Sequence, residues 1–205
     1  MSVGVVGCSG TGSPVIEQLV RLGVGKLVLV DPDVVEMKNL NRILNTTKED
    51  AQKGKSKVLA LADTIEKIGF GTVVDGWQVN LYDNVAALKT LVKCDVIFGC
   101  MDSVDGRHLL NQLSSFYLIP YFDLGVKLEA DGIGGINKIC GTVHYLQPCK
   151  SSLITRGVYT TEDVRASSQY RKDPEEFENL RKNAYIKNVN VNNPAVISVN
   201  MQISS

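Results

Sequence analysis

A glycine-rich loop lies between an apolar run at residues 3–6 and a stretch at 15–22 with helical apolar spacing. Its key residues are Gly7, Ser9, Gly10 and Gly12. A strand–loop–helix junction directs backbone N–H groups and the positive end of the helix dipole at a bound group, which suits phosphate. The dinucleotide pattern G-x-G-x-x-G would need glycine at position 9, where this chain has serine. From the loop alone, a tight turn without a ligand remains an alternative.

Charged side chains follow the next apolar run, 26–30, in the segment Asp31-Pro32-Asp33 and beyond it. Asp31 stands about 20 residues after Gly10, where a carboxylate accepts hydrogen bonds from ribose hydroxyls. If the first two strands are neighbours, this segment lies over the same sheet edge as the loop, so Arg42 and Lys57 converge on a polyphosphate. A single surface Arg or Lys is usually only a solvated cation, and the interpretation therefore depends on the cluster.

A third group follows the apolar run 95–99, where Asp102 and Ser103 precede a predicted helix that carries Arg107 in its first turns. In open α/β sheets the ligand lies at the carboxyl ends of the strands. A carboxylate there is a natural Mg²⁺ ligand that bridges the protein to phosphate oxygens. The alternative is that Asp102 or Ser103 only caps the helix.

The elements that must position these residues alternate between strand and helix. Strands are predicted at 3–6, 26–30, 72–79, 95–99 and 120–123, and helices at 15–22, 57–68, 88–92 and 104–116. Buried apolar runs joined by helices predict an α/β fold, a Rossmann-like doubly wound and mainly parallel sheet. Residues 125–146, with Gly132, Gly134 and Gly135, suggest antiparallel hairpins that extend this sheet.

Composition excludes several classes of protein. The 205 residues, 44% of them hydrophobic and 21% charged, fit one globular domain, 1–205. Lys plus Arg and Asp plus Glu each number 22, so no net charge attracts nucleic acid or anionic lipid. No apolar run approaches the roughly 20 residues that span a bilayer. Five cysteines without a CxxC pair indicate reduced thiols and a cytoplasmic protein.

The last third of the chain is less regular. Charged residues are concentrated between Glu162 and Lys182, which predicts a solvated helix or loop. Residues 194–201 look like an apolar helix that begins at Pro194. Because a βα unit begins within a few residues of Met1 and this helix stops mid-pattern, we expect an excised domain of a longer protein.

Taken in order, these motifs resemble the ThiF/MoeB/HesA-type adenylating enzymes, relatives of the ubiquitin-activating E1 enzymes. The resembling stretches are residues 7–13, 22–36 and 39–42, Lys57 after Gly54, Asp102-Ser103 with Arg107, and 193–200. The resemblance implies activation of a carboxyl terminus, usually of a ubiquitin-like or sulfur-carrier protein, by attack on the α-phosphate of ATP. It also implies a homodimer.

The resemblance implies a role for each motif residue. Asp31 would hold the ribose, and Gly10 with its neighbours the phosphates. Asn39, Arg42 and Lys57 would hold the triphosphate, and Asp102 the Mg²⁺. We therefore expect catalysis to rest on Arg42, Lys57 and Asp102. The full nucleotide-binding set is Gly7, Ser9, Gly10, Gly12, Asp31, Asp33, Asn39, Arg42, Lys57, Asp102 and Ser103.

The chain departs from the family pattern in three places. Ser9 replaces the middle glycine, Ser152 stands where a first zinc-binding CxxC pair would need cysteine, and residues 1–205 do not include the upstream arginine segment that the resemblance implies. We predict no structural zinc, because four soft ligands cannot be assembled. Cys149 is the best candidate for a thioester nucleophile. The alternatives that stay open are a non-catalytic E1-like scaffold and an NAD-dependent Rossmann oxidoreductase.

Overall fold

The computed structural model describes residues 1–130, 136–175 and 177. Six strands form one sheet in the order β3-β2-β1-β4-β5-β6. The elements are β1 (Ser2–Val6), α1 (Gly12–Arg21), β2 (Lys26–Val30), α2 (Lys48–Gln52), α3 (Lys57–Ile68), β3 (Val73–Trp77), α4 (Val85–Leu91), β4 (Val96–Gly99), α5 (Val104–Tyr117), β5 (Tyr121–Ala130), β6 (Ile136–Leu146) and α6 (Thr161–Lys172). Two short 3₁₀ helices cover Met37–Asn39 and Leu81–Asp83.

The sheet is parallel from β3 to β5, and β6 pairs with β5 in antiparallel register. Val6, at the end of β1, lies level with Val30 of β2 and with Gly99 of β4. The chain runs outward from β1 to β3 and then crosses to β4, so the strand order reverses between β1 and β4. The predicted doubly wound sheet with an antiparallel extension is confirmed.

Helices cover both faces of the central strands, which explains why these strands are continuous apolar runs. One core joins α1 and α3 to side chains such as Val3, Val5 and Leu29. The opposite core joins α4 and α5 to the alternate side chains, among them Val28 and Ile97. All five of these side chains are essentially inaccessible to solvent. Alternation along each strand therefore supplies two cores from one sheet.

The predicted element bounds differ from the structure mainly at the periphery. Helix α2 was not predicted, because four of its five residues are polar and none is buried. The strand predicted at 120–123 continues to Ala130, because β6 pairs along the whole extension. The charged stretch, predicted to be a solvated helix or loop, begins with the helix α6, none of whose residues is buried.

Several predictions lie outside the described residues. These are the glycines at 132, 134 and 135, the end of the charged stretch at 178–182, and the helix at 194–201 with the resembling stretch 193–200. The assignment of 1–205 to a single domain also stays a prediction. Among the described residues, no helix combines the length and the apolar character needed to cross a membrane.

Candidate active site

The glycine loop packs directly against the segment that follows β4. Gly7 has a φ of +92°, and a Cβ there would lie 2.5 Å from the carbonyl oxygen of Cys100. A Cβ on Gly12 would overlap the carbonyl oxygen of Gly7. The N–H of Cys100 donates to the carbonyl oxygen of Val6 at 2.8 Å. Glycine is therefore required where the loops after β1 and β4 meet, at the point where ligands bind in this class of sheet.

Ser9 fits this loop without backbone strain. In the described part of the chain, the non-glycine residues with positive φ are Asn45, Leu118 and Cys149, and Ser9 is not among them. The Ser9 carbonyl oxygen accepts a hydrogen bond from the N–H of Ser13 at 2.8 Å, as the first turn of α1 begins. Serine at the position of the family's middle glycine is therefore compatible with the loop conformation.

Asp31 joins the loops after β1 and β2 through its carboxylate. Its Oδ2 accepts the N–H of Cys8 at 2.7 Å, and its Oδ1 accepts the N–H of Asp33 at 2.9 Å. The residue is 5% exposed, and this burial raises the pKa of its carboxyl group, against the opposing effect of the Lys57 ammonium. The carboxylate that is predicted to bind ribose is thus held in place beside the glycine loop.

Lys57 begins α3 and is a buried cation, 5% exposed. Its N–H donates to the carbonyl oxygen of Asp33 at 3.1 Å, which anchors the start of the helix beside the segment after β2. Its Nζ lies 2.6 Å from Oδ2 of Asp33 and 3.8 Å from Oδ1 of Asp31. The Asp33 side chain is 62% exposed. The ammonium has three N–H donors, so it can also serve a bound anion.

The segment that carries Arg42 is tied to the first turn of α1. The N–H of Leu44 donates to the hydroxyl of Ser13 at 3.0 Å. The Asn39 carbonyl oxygen accepts the N–H of Arg42 at 3.0 Å, and the Arg42 guanidinium donates through Nη1 to the carbonyl oxygen of Lys38 at 2.9 Å. Its other nitrogens make no hydrogen bond within the described part of the chain. Arg42 is thus held beside the helix that the glycine loop begins.

Asn39 has a local structural role. It is buried, and its Oδ1 accepts the N–H of Glu36 at 3.1 Å in a reciprocal capping arrangement of the 3₁₀ helix Met37–Asn39. This bond shapes the turn that leads to Arg42. A contact between Asn39 and a triphosphate stays a prediction.

Asp102 and Ser103 are both exposed after β4. Ser103 occupies the N-cap position of α5, but its side chain makes no capping hydrogen bond. Asp102 makes no hydrogen bond or ion pair with any described residue. The capping alternative is therefore realised by neither side chain, and the Asp102 carboxylate is free at the sheet edge where phosphates are expected.

A free carboxylate at this edge fits Mg²⁺, which usually takes one or two protein carboxylates and completes its shell with water and substrate phosphates. No group of three or more His, Cys, Asp or Glu side chains with metal-binding geometry occurs among residues 1–130, 136–175 and 177. Protein side chains alone therefore do not form a cage here, and any Mg²⁺ on Asp102 would depend on the nucleotide. The absence of structural zinc stays a prediction.

Sequence reasoning missed the partner of Arg107. The guanidinium pairs with the carboxylate of Asp123 at the end of the parallel part of β5, with Nε donating to Oδ1 at 2.9 Å and Nη2 donating to Oδ2. The Tyr121 hydroxyl also donates to Oδ1 at 2.8 Å. Asp123 is fully buried. An acidic residue at the end of the predicted strand 120–123, beside the strand that leads to Asp102, was the available signal.

Cys149 lies away from this site. It is exposed, and it lines a cavity of about 130 Å³ with Ser114 and Ser115 near the carboxyl end of α5. Asp102 precedes the amino end of the same helix. Ser114 lies ten residues after the first residue of α5, and an α-helix rises about 1.5 Å per residue. Ser114 is therefore roughly 15 Å from the start of the helix, which Asp102 precedes. A thioester at Cys149 would need transfer of the acyl group across this distance.

A doubly wound sheet with a glycine loop at its switch point and a buried acidic residue after β2 defines a Rossmann-like domain. The family model described as "ThiF family" matches residues 1–168. The chain belongs to the ThiF family.

Curated relatives share parts of their sequence with this chain. It is 37% identical over 110 residues to the adenylyltransferase and sulfurtransferase MOCS3 of Xenopus laevis, covering 54% of this chain and 24% of that protein. It is 30% identical over 161 residues to the ubiquitin-like modifier-activating enzyme 5 of Bombyx mori, covering 74% of this chain and 38% of that protein. The chain thus spans well under half the length of these relatives.

Solved structures share the fold. Escherichia coli MccB with ATP superposes with a TM-score of 0.68 at 17% identity, covering 99% of this chain and 52% of that chain. The tRNA N6-threonylcarbamoyladenosine dehydratase TcdA of Escherichia coli superposes with a TM-score of 0.56 at 28% identity, covering 63% of this chain and 54% of that chain. The likeness to MccB at this identity concerns the fold alone.

Proposed function

We propose that this chain is the nucleotide-binding part of an enzyme that uses ATP to adenylate a carboxyl terminus. The observation that carries the proposal is the buried cation Lys57, which lies beside Asp31 at the sheet edge that holds the glycine loop. A dinucleotide needs the loop and the acidic residue, but it has no need of a buried lysine there. A triphosphate carries more negative charge, which a lysine at this place can offset. Membership of the ThiF family supports ATP over a dinucleotide as the ligand.

The proposed reaction forms one bond and breaks another. A carboxylate oxygen of the substrate attacks the α-phosphorus of ATP, the bond to the bridging oxygen of the β-phosphate breaks, and pyrophosphate leaves with the bonding electrons. The products are an acyl-adenylate and pyrophosphate. Such transfers depend on positioning and charge neutralisation more than on covalent chemistry by the protein.

In this proposal the residues around the loop bind and orient the nucleotide. Asp31 accepts the ribose hydroxyls, and backbone N–H groups of the loop hold the phosphates. Arg42 and Lys57, with Asn39 beside them, offset the charge that develops on the leaving pyrophosphate. Asp102, next to Ser103, would hold Mg²⁺, which supplies further neutralisation of phosphate charge when bound.

We further propose a ubiquitin-like or sulfur-carrier protein as the source of the carboxyl terminus, a homodimer as the assembly and the cytoplasm as the location. The names of the relatives support the first point, because they include a ubiquitin-like modifier-activating enzyme and an adenylyltransferase. The tRNA-directed relative is the exception. A net charge of zero favours a protein or peptide carboxylate over tRNA.

The test is calorimetric titration of the protein with ATP and with NAD, in the presence of Mg²⁺, followed by ATP–pyrophosphate exchange with candidate carboxyl-terminal peptides. We expect ATP to bind in preference to NAD and exchange to require a peptide carboxylate. The matched variants are Asp102→Asn in the site and Asp75→Asn in β3. Asp75 pairs at 3.0 Å with Lys26, the first residue of β2, at the amino end of that strand. Only Asp102→Asn should abolish exchange.

Each other outcome would identify an alternative. Preferential binding of NAD would overturn the proposal in favour of an oxidoreductase. Binding of ATP without exchange, for every carboxylate offered and in the protein extended to the length of its relatives, would favour a non-catalytic scaffold. Exchange that survives Asp102→Asn would refute the role given to Asp102.

A further inference from the structure

Two buried carboxylates hold the first turns of α5, and the adenylation roles given above use neither of them. Asp105 is 1% exposed and Asp123 is 0% exposed. A buried carboxylate without partners costs several kcal/mol, so each must be compensated by donors within the protein. Side-chain donors to Asp105 lie in α6, and those to Asp123 lie in α5 and β5.

Asp105 connects α5 to α6. Its Oδ1 accepts the hydroxyl of Ser167 at 2.9 Å, and its Oδ2 accepts Nε of Arg171 at 2.8 Å. The Asp105 N–H in turn donates to the Ser167 oxygen at 3.2 Å. The Arg171 guanidinium lies 3.8 Å from the ring centroid of Tyr82, in the 3₁₀ helix after β3. Helix α6 thus spans between the segments that follow β3 and β4.

Asp123 connects α5 to β5 through Arg107, two residues after Asp105. The guanidinium uses Nε and Nη2 on the carboxylate, in a bidentate arrangement that fixes its plane. It also lies against Gly125, where a Cβ would be 3.6 Å from Nη2. The Tyr121 hydroxyl completes the set of donors. The start of α5 is therefore restrained on one side by α6 and on the other by β5.

Asp102, just before this clamped helix, makes no hydrogen bond or ion pair with any described residue that would fix its side chain. Its backbone is held on one side by the Cys100–Val6 hydrogen bond and on the other by the start of α5. We propose that Asp105 and Asp123 are positioning residues that hold the Asp102 carboxylate where it meets Mg²⁺ on the bound nucleotide. This inference rests on the proposed function, because it assumes that ATP and Mg²⁺ bind at this edge.

The experiment measures ATP affinity by calorimetry with and without Mg²⁺, in the wild type and in Asp105→Asn and Asp123→Asn. Asparagine keeps the shape of each side chain and removes its charge. Outer-shell groups that bond directly to metal ligands contribute about 10-fold to 100-fold in metal affinity, and Asp105 and Asp123, which act on Asp102 through the backbone, are expected at the lower limit of this range. We expect the tightening of ATP binding by Mg²⁺ to fall by about tenfold, with metal-free ATP affinity changed less than about twofold.

Two controls separate positioning from loss of stability. Leu91→Ala removes a fully buried side chain of α4 and destabilises the fold without removing a hydrogen-bond partner of Asp105 or Asp123. Asp75→Asn breaks the charge pair with Lys26, at the amino end of β2. Both should keep the wild-type response to Mg²⁺. If either asparagine variant fails to fold, Ser167→Ala and Tyr121→Phe each remove one hydroxyl donor to the same carboxylates and should reduce the response by about threefold; Ser167→Ala also removes the acceptor of the Asp105 N–H.

The outcomes separate this inference from the proposed function. Wild-type ATP binding that Mg²⁺ tightens, with the same tightening in the asparagine variants or the single-bond variants, overturns the positioning role alone. An equal loss in Leu91→Ala overturns it as well, because general destabilisation then accounts for the effect. Wild-type protein that binds no ATP, or that ignores Mg²⁺, overturns both.

Discussion

Two clusters of buried charge lie at the same edge of the sheet and differ in how far the protein itself satisfies them. Around Lys57, one of the two carboxylate partners, Asp33, has a side chain that is 62% exposed, and the other, Asp31, is 3.8 Å away. Around Asp123, the carboxylate is fully buried and Arg107 and Tyr121 supply three hydrogen bonds. The first cluster is open to a ligand, and the second is closed.

The difference shows that burial of a charge does not by itself mark a binding site. A buried ion pair whose donors and acceptors are all used by the protein mainly fixes geometry, and its loss leaves an uncompensated charge. A buried cation with an exposed partner keeps a donor for a bound anion and can exchange partners when that anion arrives. The open cluster therefore indicates ligand binding, and the closed cluster indicates support.

The largest effect expected from this comparison is on folding. Arg107→Met should lower the free energy of unfolding by about 3–5 kcal/mol, because it leaves Asp123 buried without its countercharge. Urea unfolding at neutral pH measures the change. Lys26→Met is the matched control, because the pair of Lys26 with Asp75 is partly exposed. It should lower the free energy of unfolding by less than about 1 kcal/mol. Equal costs at the two positions would contradict the description of the Asp123 cluster as closed.

The opposite pattern is expected at the open cluster, in Lys57→Met. Hydrogen bonds to charged groups contribute about 1.5–3 kcal/mol, so ATP affinity should fall by about 10-fold to 100-fold. Stability should fall less than in Arg107→Met, because Asp33 reaches water and Asp31 keeps two N–H donors. Calorimetry and urea unfolding measure the two effects.

Lys55→Met is the matched control for this prediction. Lys55 is two residues away and pairs with Asp50 and Asp63 on the surface. Its replacement should change ATP affinity by less than about twofold. A loss of affinity at position 55 equal to that at position 57 would mean that general positive charge, and not the buried lysine, attracts the nucleotide.

The sequence places the residues of the open cluster together, whereas for the closed cluster it offers only an acidic residue at the end of a predicted strand, without its partner. Asp31 follows directly after a continuous apolar strand, and Lys57 begins a helix with clear apolar spacing, so local patterns place both at one sheet edge. Arg107 and Asp123 are 16 residues apart, and Asp105 and Arg171 are 66 apart. Pairing over such separations depends on how α5 packs against β5 and α6, which periodicity does not encode.

A smaller and pH-dependent effect is expected at Asp31. Burial raises the pKa of its carboxyl group above the usual value of 3.8, so the ionised form opposes folding. Below the unfolded-state pKa both states are protonated and this cost is absent. It develops as the pH rises to the folded-state pKa and is constant above it. The stability of the wild type relative to Asp31→Asn should therefore fall as the pH rises through this interval.

Urea unfolding of the two proteins at a series of pH values from about 3.5 to 7 measures this difference. ATP binding to the wild type should strengthen over the same interval, because the ionised carboxylate is the better acceptor for ribose hydroxyls. The two pH dependences thus have opposite signs. A wild-type stability that rises relative to Asp31→Asn would mean that Lys57 and the two N–H donors outweigh burial, and the cluster would then be closed in the same sense as the Asp123 cluster.

The smallest effect is expected where the chain departs from its family, in Ser9→Gly. Ser9 has no positive φ, so glycine relieves no strain and only adds conformational freedom to the unfolded chain. Stability should fall by about 0.4–1 kcal/mol. ATP affinity should change less than about threefold if loop N–H groups, and not the side chain, bind the phosphates.

Gly7→Ser is the contrasting variant, because a Cβ there meets the Cys100 carbonyl oxygen and should disrupt the junction of the two loops. A large gain in affinity in Ser9→Gly would show that the serine side chain obstructs the phosphates, and the open cluster would then serve a site that is only partly competent.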